Sequence, residues 1–310
     1  MSTALVTGAT GFVGSHLVRA LLAEGAEVHV LCRPASDFWR LADVVERLHR
    51  HCVPLEELDA LTALVQVVRP RRIFHLAAAT VVAGVPAPPR ELVAVNLLGT
   101  VNLIAACAAV PYDALVTTGD SFEYAPGPAP LREADPCRPT ALHGITKLAA
   151  TLHAQAQARS QGRPIVVLRL FSTYGPFDNP RRLVPRVVAG ALAGATLQLS
   201  RPEIARDWLH VDDLVALYRE AAARAGALAG GVFNAGTGRS ADLGEVVRII
   251  LAAAGGGAEP RWGAFPAAEH DAHPWVADMS ATFAAFAWRP RLSLEEGLGR
   301  IVAAAAGQGA

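Results

Sequence analysis

The chain has 310 residues, 28 of them basic and 28 acidic, so its formal net charge is zero. That balance leaves no basic footprint for a nucleic-acid partner, and 52% hydrophobic residues put the chain well outside the disordered range. Cys32, Cys52, Cys107 and Cys137 lack CxxC spacing, and His270 and His273 have no further Cys or His pair to complete a site, so reduced thiols and no metal are expected.

The first residues, MSTALVTGAT, hold neither a charged leader nor a long apolar run, which predicts no signal peptide, no membrane span and a cytoplasmic protein. Residues 3–7 read as a strand running into Gly8. GFVGSHLVRALLAEG then carries apolar residues at helical spacing and stops at Gly25. EVHVLC reads as a strand, DALTALVQVV as a helix and RRIFHLAA as a strand ending in small residues. ELVAVNLLGTVNLIAACAAV predicts a long helix, ALVTTG a strand, TALHGITKLAATLHAQAQARS a helix and RPIVVLRL a strand. Such alternation predicts an α/β fold, a Rossmann-type doubly wound parallel sheet with helices on both faces.

Beyond residue 171 the rhythm loosens. FSTYGPFDNPRRLVP reads as loop, RLVPRVVAGALAG as helix, and RDWLHVDDLVALYREAA as a strand running into a helix. GGVFNAG is one further strand, and DLGEVVRIILAAAG and LSLEEGLGRIVAAAA are late helices. We expect an NAD(P)-binding domain over residues 1–170 plus about 206–234. A smaller C-terminal α/β substrate lobe is expected from about 171–205 and 235–310.

Gly8-Ala9-Thr10-Gly11-Phe12-Val13-Gly14 lies directly between the first strand and the first helix. Gly8 permits a tight turn, Gly11 lets the backbone approach a pyrophosphate, and Gly14 lets helix and strand pack closely. The helix then presents free N–H groups to the anion. Placed inside a βαβ unit, this triplet predicts a dinucleotide site. At the end of the second strand, where a carboxylate would hold the ribose 2′-hydroxyl of NAD, stand Cys32 and Arg33. An arginine pairs with a 2′-phosphate, which favours NADP(H) over NAD(H).

GATGFVG, FHLAAAT, NLLGT, RPTALHGITK, LRLFSTYGPFDNP, RDWLHVDD and NAGTG follow one another as in the extended short-chain dehydrogenase/reductases. The chain most resembles their NAD-dependent epimerase/dehydratase branch, which modifies nucleotide sugars, and the likeness runs on to WRPRLSLEEGL. The resemblance implies that Leu76, Ala77, Ala78 and Ala79 run under the cofactor, with Leu55 at the adenine. It implies that Asn96 holds the central helix near the active site. Lys147 would bond the nicotinamide ribose and lower the pKa of the acid/base. A nucleoside-diphosphate sugar is the implied substrate, with Arg206 at its diphosphate and Ser172, Arg182 and Asn234 at its pocket. The family also implies a homodimer formed through the NLLGT and HGITK helices.

Several positions depart from the family. His143 stands where the family carries its catalytic tyrosine. Imidazole passes protons near neutral pH. A Lys147 ammonium beside it would push its pKa down, and a carboxylate would push it up. His143 is thus either the acid/base or a filler of the tyrosine's space. The serine or threonine that accompanies that tyrosine has two alignments across LVTTGDSFEYAPG. The strand end selects Thr118, which is preferred, and the FEY stretch selects Asp120 followed by Ser121. Tyr124 is the nearest spare phenol. Pro54 replaces an adenine-contacting aspartate, and Ser172 replaces an asparagine. The expected function is an NADPH-dependent 4-ketoreductase of a nucleoside-diphosphate 4-keto-6-deoxyhexose. The alternatives are a 4-epimerase with tightly bound NAD and a non-catalytic NAD(P)-binding protein. A 4,6-dehydratase is disfavoured, because Gly119 and Asp120 stand where its Asp-Glu pair would follow the threonine.

Overall fold

A computed structural model describes residues 2–82, 85–127, 130–266 and 269–307. The strands that matter below are Thr3–Thr7 (β1), Glu27–Leu31 (β2), His49–His51 (β3), Arg72–His75 (β4), Ala114–Asp120 (β5), Ile165–Leu170 (β6), Ser172–Tyr174 (β7), Ala205–His210 (β8), Val232–Ala235 (β9) and Ser240–Asp242 (β10). The helices that matter below are Phe12–Ala23 (α1), Leu58–Val68 (α2), Pro89–Cys107 (α3), Leu142–Gln161 (α4), Leu183–Leu192 (α5), Val211–Arg224 (α6), Leu243–Ala253 (α7) and Leu294–Gly307 (α8).

Seven strands form one sheet in the order β9-β6-β5-β4-β1-β2-β3, with every neighbouring pair parallel. A parallel sheet covered on both faces needs apolar side chains on both, so its strands read as unbroken runs such as ALV and IVVL. One layer of core joins the sheet to α1 and α6 through Leu17, Val18, Leu21, Leu214 and Tyr218. The other joins it to α2, α3 and α4 through Leu61, Val65, Leu103 and Ala154. The strand order reverses between β1 and β4, and a doubly wound sheet opens its ligand crevice there, beyond the carboxyl ends of the strands.

The lobe has its own core, in which Val187, Ile250 and Ile301 bring α5, α7 and α8 together. Its small sheet runs β10-β8-β7, with β8 parallel to β7 and antiparallel to β10. Residues 206–210, grouped by their sequence with the nucleotide-binding unit, therefore belong to the lobe's sheet. The RDW stretch pairs there because β7 offers Ser172 opposite Trp208, and the chain rejoins the larger sheet only through α6 and β9.

Helix α3 has the length and apolarity of a membrane span, and half of the tested stretch is buried inside the structure. Its apolar residues Leu103, Ile104 and Cys107 pack on the sheet, which accounts for that composition. Residues 92–98 are wound as a π-helix, a local widening common at functional sites.

Candidate active site

The glycine turn has the close packing that its sequence requires. Gly8 sits at φ +70°, and a Cβ there would lie 2.6 Å from Ala77 N. A Cβ on Gly14 would lie 2.2 Å from the Gly8 carbonyl oxygen. Gly11 caps α1 without a side-chain bond, so the first N–H groups of Phe12, Val13 and Gly14 are free for an anion.

Around this turn opens a cleft of about 430 Å³, which Thr10, Leu55, Leu76 and Ala77–Ala79 line together with Arg33 and Glu91. The cradle and cleft fit a dinucleotide. Of the expected cofactor residues, Gly8, Thr10, Gly11, Arg33, Leu55, Leu76 and Ala77–Ala79 line this cleft, and Phe12, Val13, Gly14, Asn96 and Lys147 do not. Asn96 ties the cleft to the next helix. It accepts from Ala79 N at 2.8 Å and donates to Thr146 Oγ1 at 3.1 Å. Glu91 has no motif to mark it. Its carboxylate approaches Arg33 at 3.5 Å, within the same cleft, and Arg33 is mostly exposed.

Helix α4 carries His143 and Lys147. At Gly144 a Cβ would lie 2.2 Å from the Phe122 carbonyl oxygen, so only glycine lets the helix close onto the turn that follows β5. That contact brings His143 Nε2 to 3.2 Å from Asp120 Oδ2. The other Asp120 oxygen accepts from Phe122 N at 2.9 Å, and Glu123 accepts from Asp120 N at 2.9 Å. Ser121, also buried, opens this capped turn. The His143 side chain is 6% exposed, and its Nδ1 has no hydrogen-bond partner.

Electrostatics keep Asp120 ionised. Burial works to raise its carboxyl, but His143, the Phe122 N–H and Lys147 together hold it below its ordinary value. A carboxylate can only accept, so His143 carries its proton on Nε2 and leaves Nδ1 as an acceptor. Lys147 is buried and donates to the Thr118 carbonyl. Burial lowers its pKa, while Asp120 and Glu123 pull the other way.

Three expectations are corrected. Thr118 does not accompany His143. Its hydroxyl donates to the His75 carbonyl at 2.8 Å and lies 2.6 Å from Tyr218 of α6, on the opposite face of the sheet from α4. Asp120, two residues later at the strand's end, takes that place. Tyr124 and Asn234 leave the substrate pocket altogether. The Tyr124 hydroxyl donates to Asn234 Oδ1 at 2.7 Å, and Asn234 Nδ2 donates to the carbonyls of Leu131 and Asp278 at 2.8 and 3.1 Å. Both residues are at most 1% exposed, so the pair braces β9 against the loops around 131 and 278.

Ser172, Arg182 and Arg206 line a second cavity of about 380 Å³ at the lobe, joined by Arg186, Trp208 and Asp271. Arg206 pairs with Asp271, and Arg182 lies 3.5 Å from Asp178. Arg186, part of the cationic lining and set over Phe265 at 5.7 Å, was missed because no family motif covers α5. The His270 side chain lies outside the described residues.

The model of the NAD dependent epimerase/dehydratase family matches residues 4–236. UDP-glucose 4-epimerase of Mycolicibacterium smegmatis is 31% identical over 309 residues, covering 96% of each chain. dTDP-glucose 4,6-dehydratase of Streptomyces griseus is 30% identical, covering 96% of this chain and 92% of its own. The structure of Thermus thermophilus UDP-glucose 4-epimerase with NAD superposes with a TM-score of 0.86 at 28% identity, over 98% of this chain and 99% of that one. With that match, the glycine cradle and the Lys147 helix, the chain belongs to the NAD-dependent epimerase/dehydratase family of extended short-chain dehydrogenase/reductases, enzymes of nucleotide-sugar chemistry.

Proposed function

We propose that the chain is a nucleoside-diphosphate-sugar 4-epimerase that keeps NAD bound and uses His143, positioned by Asp120, to move the proton of the sugar's C4 hydroxyl. One observation carries this reading. His143 is buried, with Nε2 held by a carboxylate and Nδ1, itself buried, without a partner among the described residues. A ring that merely filled space would not be supplied with an ionised partner that fixes its tautomer.

Bound NAD would supply the hydride acceptor, and later the hydride donor, for the sugar's C4. His143 would take the hydroxyl proton as the ketone forms. After the ketone has turned over in the site, His143 gives that proton back to the oxygen as the opposite face is reduced, so atoms and charge balance over the cycle. Asp120 stabilises the imidazolium in between. Lys147 supplies positive charge near the nicotinamide ribose, and the arginine-lined cavity at Arg182 and Arg206 suits a diphosphate.

Glu91 supports NAD over NADP, since its carboxylate, 3.5 Å from Arg33 in this cleft, would accept from a 2′-hydroxyl and repel a 2′-phosphate. The NAD held by the Thermus relative and the 4-epimerase activity named for the Mycolicibacterium relative agree with it. An NADPH-dependent 4-ketoreductase is the second reading, favoured by the exposed guanidinium of Arg33 at the rim of the same cleft.

Denatured, freshly purified protein decides between them. NAD released in near-stoichiometric amount, with UDP-glucose converted to its C4 epimer by NMR, supports the epimerase. Protein free of nucleotide that consumes NADPH with a 4-keto sugar supports the reductase. No turnover by either route refutes both.

A further inference from the structure

Away from both clefts, two short strands carry histidine at alternate positions. Glu27 and His29 lie two apart on β2, and His49 and His51 two apart on β3, the open edge of the main sheet. The register sets His29 beside His49 and Leu31 beside His51. Alternation along a strand puts all four side chains on one face. Glu27 Oε1 lies 3.4 Å from His29 Nε2 and 3.4 Å from His49 Nε2. The ligand atoms of these three residues all fall within 4.8 Å of one another. His29 Nδ1 meets His51 Nε2 at 2.9 Å.

We propose that Glu27, His29 and His49 bind a divalent transition-metal ion, with His51 positioning the His29 ring. Two observations point to a ligand set rather than to a chance cluster. Tetrahedral zinc with bonds of about 2.0–2.1 Å places its ligand atoms about 3.3 Å apart, close to the two measured separations. Further, His29 has the arrangement of a metal-bound imidazole, one nitrogen facing the site and the other held by a hydrogen-bond partner. Two imidazoles and a carboxylate suit zinc-type ions over magnesium or calcium. His49 is 55% exposed and can rotate to close the third edge, and solvent can fill the fourth position. The site would pin β3, a three-residue edge strand that leads directly into Val53, Pro54 and Leu55 of the cofactor cleft.

The test uses untagged, full-length protein stripped with a chelator and titrated calorimetrically with zinc chloride at pH 7.5. Wild type is expected to bind one zinc ion per chain and to melt at a higher temperature with zinc present. His49→Ala and Glu27→Gln, both at exposed positions, should weaken binding by about tenfold or more and remove the zinc-dependent rise in melting temperature. His51→Ala should weaken it too, and His51→Asn, which keeps an acceptor for His29 Nδ1–H, should restore it. Magnesium chloride should give no heat. Absence of saturable zinc binding by wild type, or variants that bind zinc as tightly as wild type, would overturn the site. Epimerase activity plays no part in the readout, so the two proposals stand or fall separately.

Discussion

On the proposed mechanism, an imidazole in place of a phenol at position 143 changes which neighbour the acid/base needs. A tyrosine needs its pKa lowered, which a lysine does, whereas a histidine needs its tautomer fixed. Asp120 does that at 3.2 Å. Asp120→Asn presents an amide that can donate to Nε2 and so put the proton on Nδ1. We expect kcat to fall roughly 10²–10⁴-fold in Asp120→Asn and in His143→Ala, with bound nicotinamide retained in both. Stopped turnover assays with the released nucleotide quantified check this, and unchanged turnover in either variant would remove His143 from the mechanism. The pH dependence follows from the sign of the Asp120 shift. Its folded carboxyl titrates below its ordinary value, so its stabilising contribution is complete above about pH 4 and is lost as the pH falls through the lower folded value. Why sequence favoured Thr118 is clear from the strand. Counting from the strand end chooses a residue that α6 covers, and only the FEY register reaches the carboxyl end of β5. No pattern in one sequence tells these two apart.

Among elements, the glycines decide how closely helices meet the sheet. Gly144→Ala would gain up to about 1 kcal/mol of helix propensity. It would also drive a methyl to 2.2 Å from the Phe122 carbonyl oxygen, a clash costing about 1–3 kcal/mol. The clash wins, α4 moves off the turn, and the His143–Asp120 contact opens. Thermal unfolding should show a lower midpoint, and turnover should fall while nucleotide stays bound. His75 gives a second test. Its ring bridges Thr7 of β1 at 2.7 Å and Thr100 of α3 at 2.9 Å. Burial, and then Lys147, lower its pKa from 6.5 to about 3. The unfolded chain therefore binds a proton that the fold refuses between those values, and stability drops as pH falls from about 6.5 toward about 3. Urea midpoints measured across that window should fall less steeply for His75→Gln than for wild type. The glycine triplet, the small-residue end of β4 and Lys147 were legible because each sits in a short motif fixed to one element's end. Glu91 and Arg186 were not, because their relevance arises only when α3 and α5 fold back over distant strands.

For the whole molecule, alternating periodicity made the doubly wound sheet readable, since buried parallel strands and amphipathic helices leave distinct repeats. The lobe was harder. The short strand β8 joins β7 and β10 across about 30 residues on either side, and pairing at that distance leaves no local trace. Association is the remaining property at this scale. Helices α3 and α4 lie against each other and expose Val93, Leu98, Ile145 and Leu152 at 43, 44, 48 and 55%. These are the helices through which the family resemblance implied a homodimer. Covering a half-exposed aliphatic side chain contributes about 1 kcal/mol, so eight of them across a two-fold interface give about 8 kcal/mol, within the 4–15 kcal/mol range that association costs. The apolar face is thus sufficient to pair two copies only if nearly all of it contributes, together with the polar rim around it. Placing carboxylates at Ile145 and Leu152 removes half of that area and sets like charges near the two-fold axis. The double variant Ile145→Glu/Leu152→Glu should therefore sediment as a monomer at micromolar concentration while wild type sediments as a dimer, with both retaining bound nucleotide because neither side chain lines the cofactor cleft. A wild-type monomer, or a double variant that still dimerises, would move the interface elsewhere on the molecule.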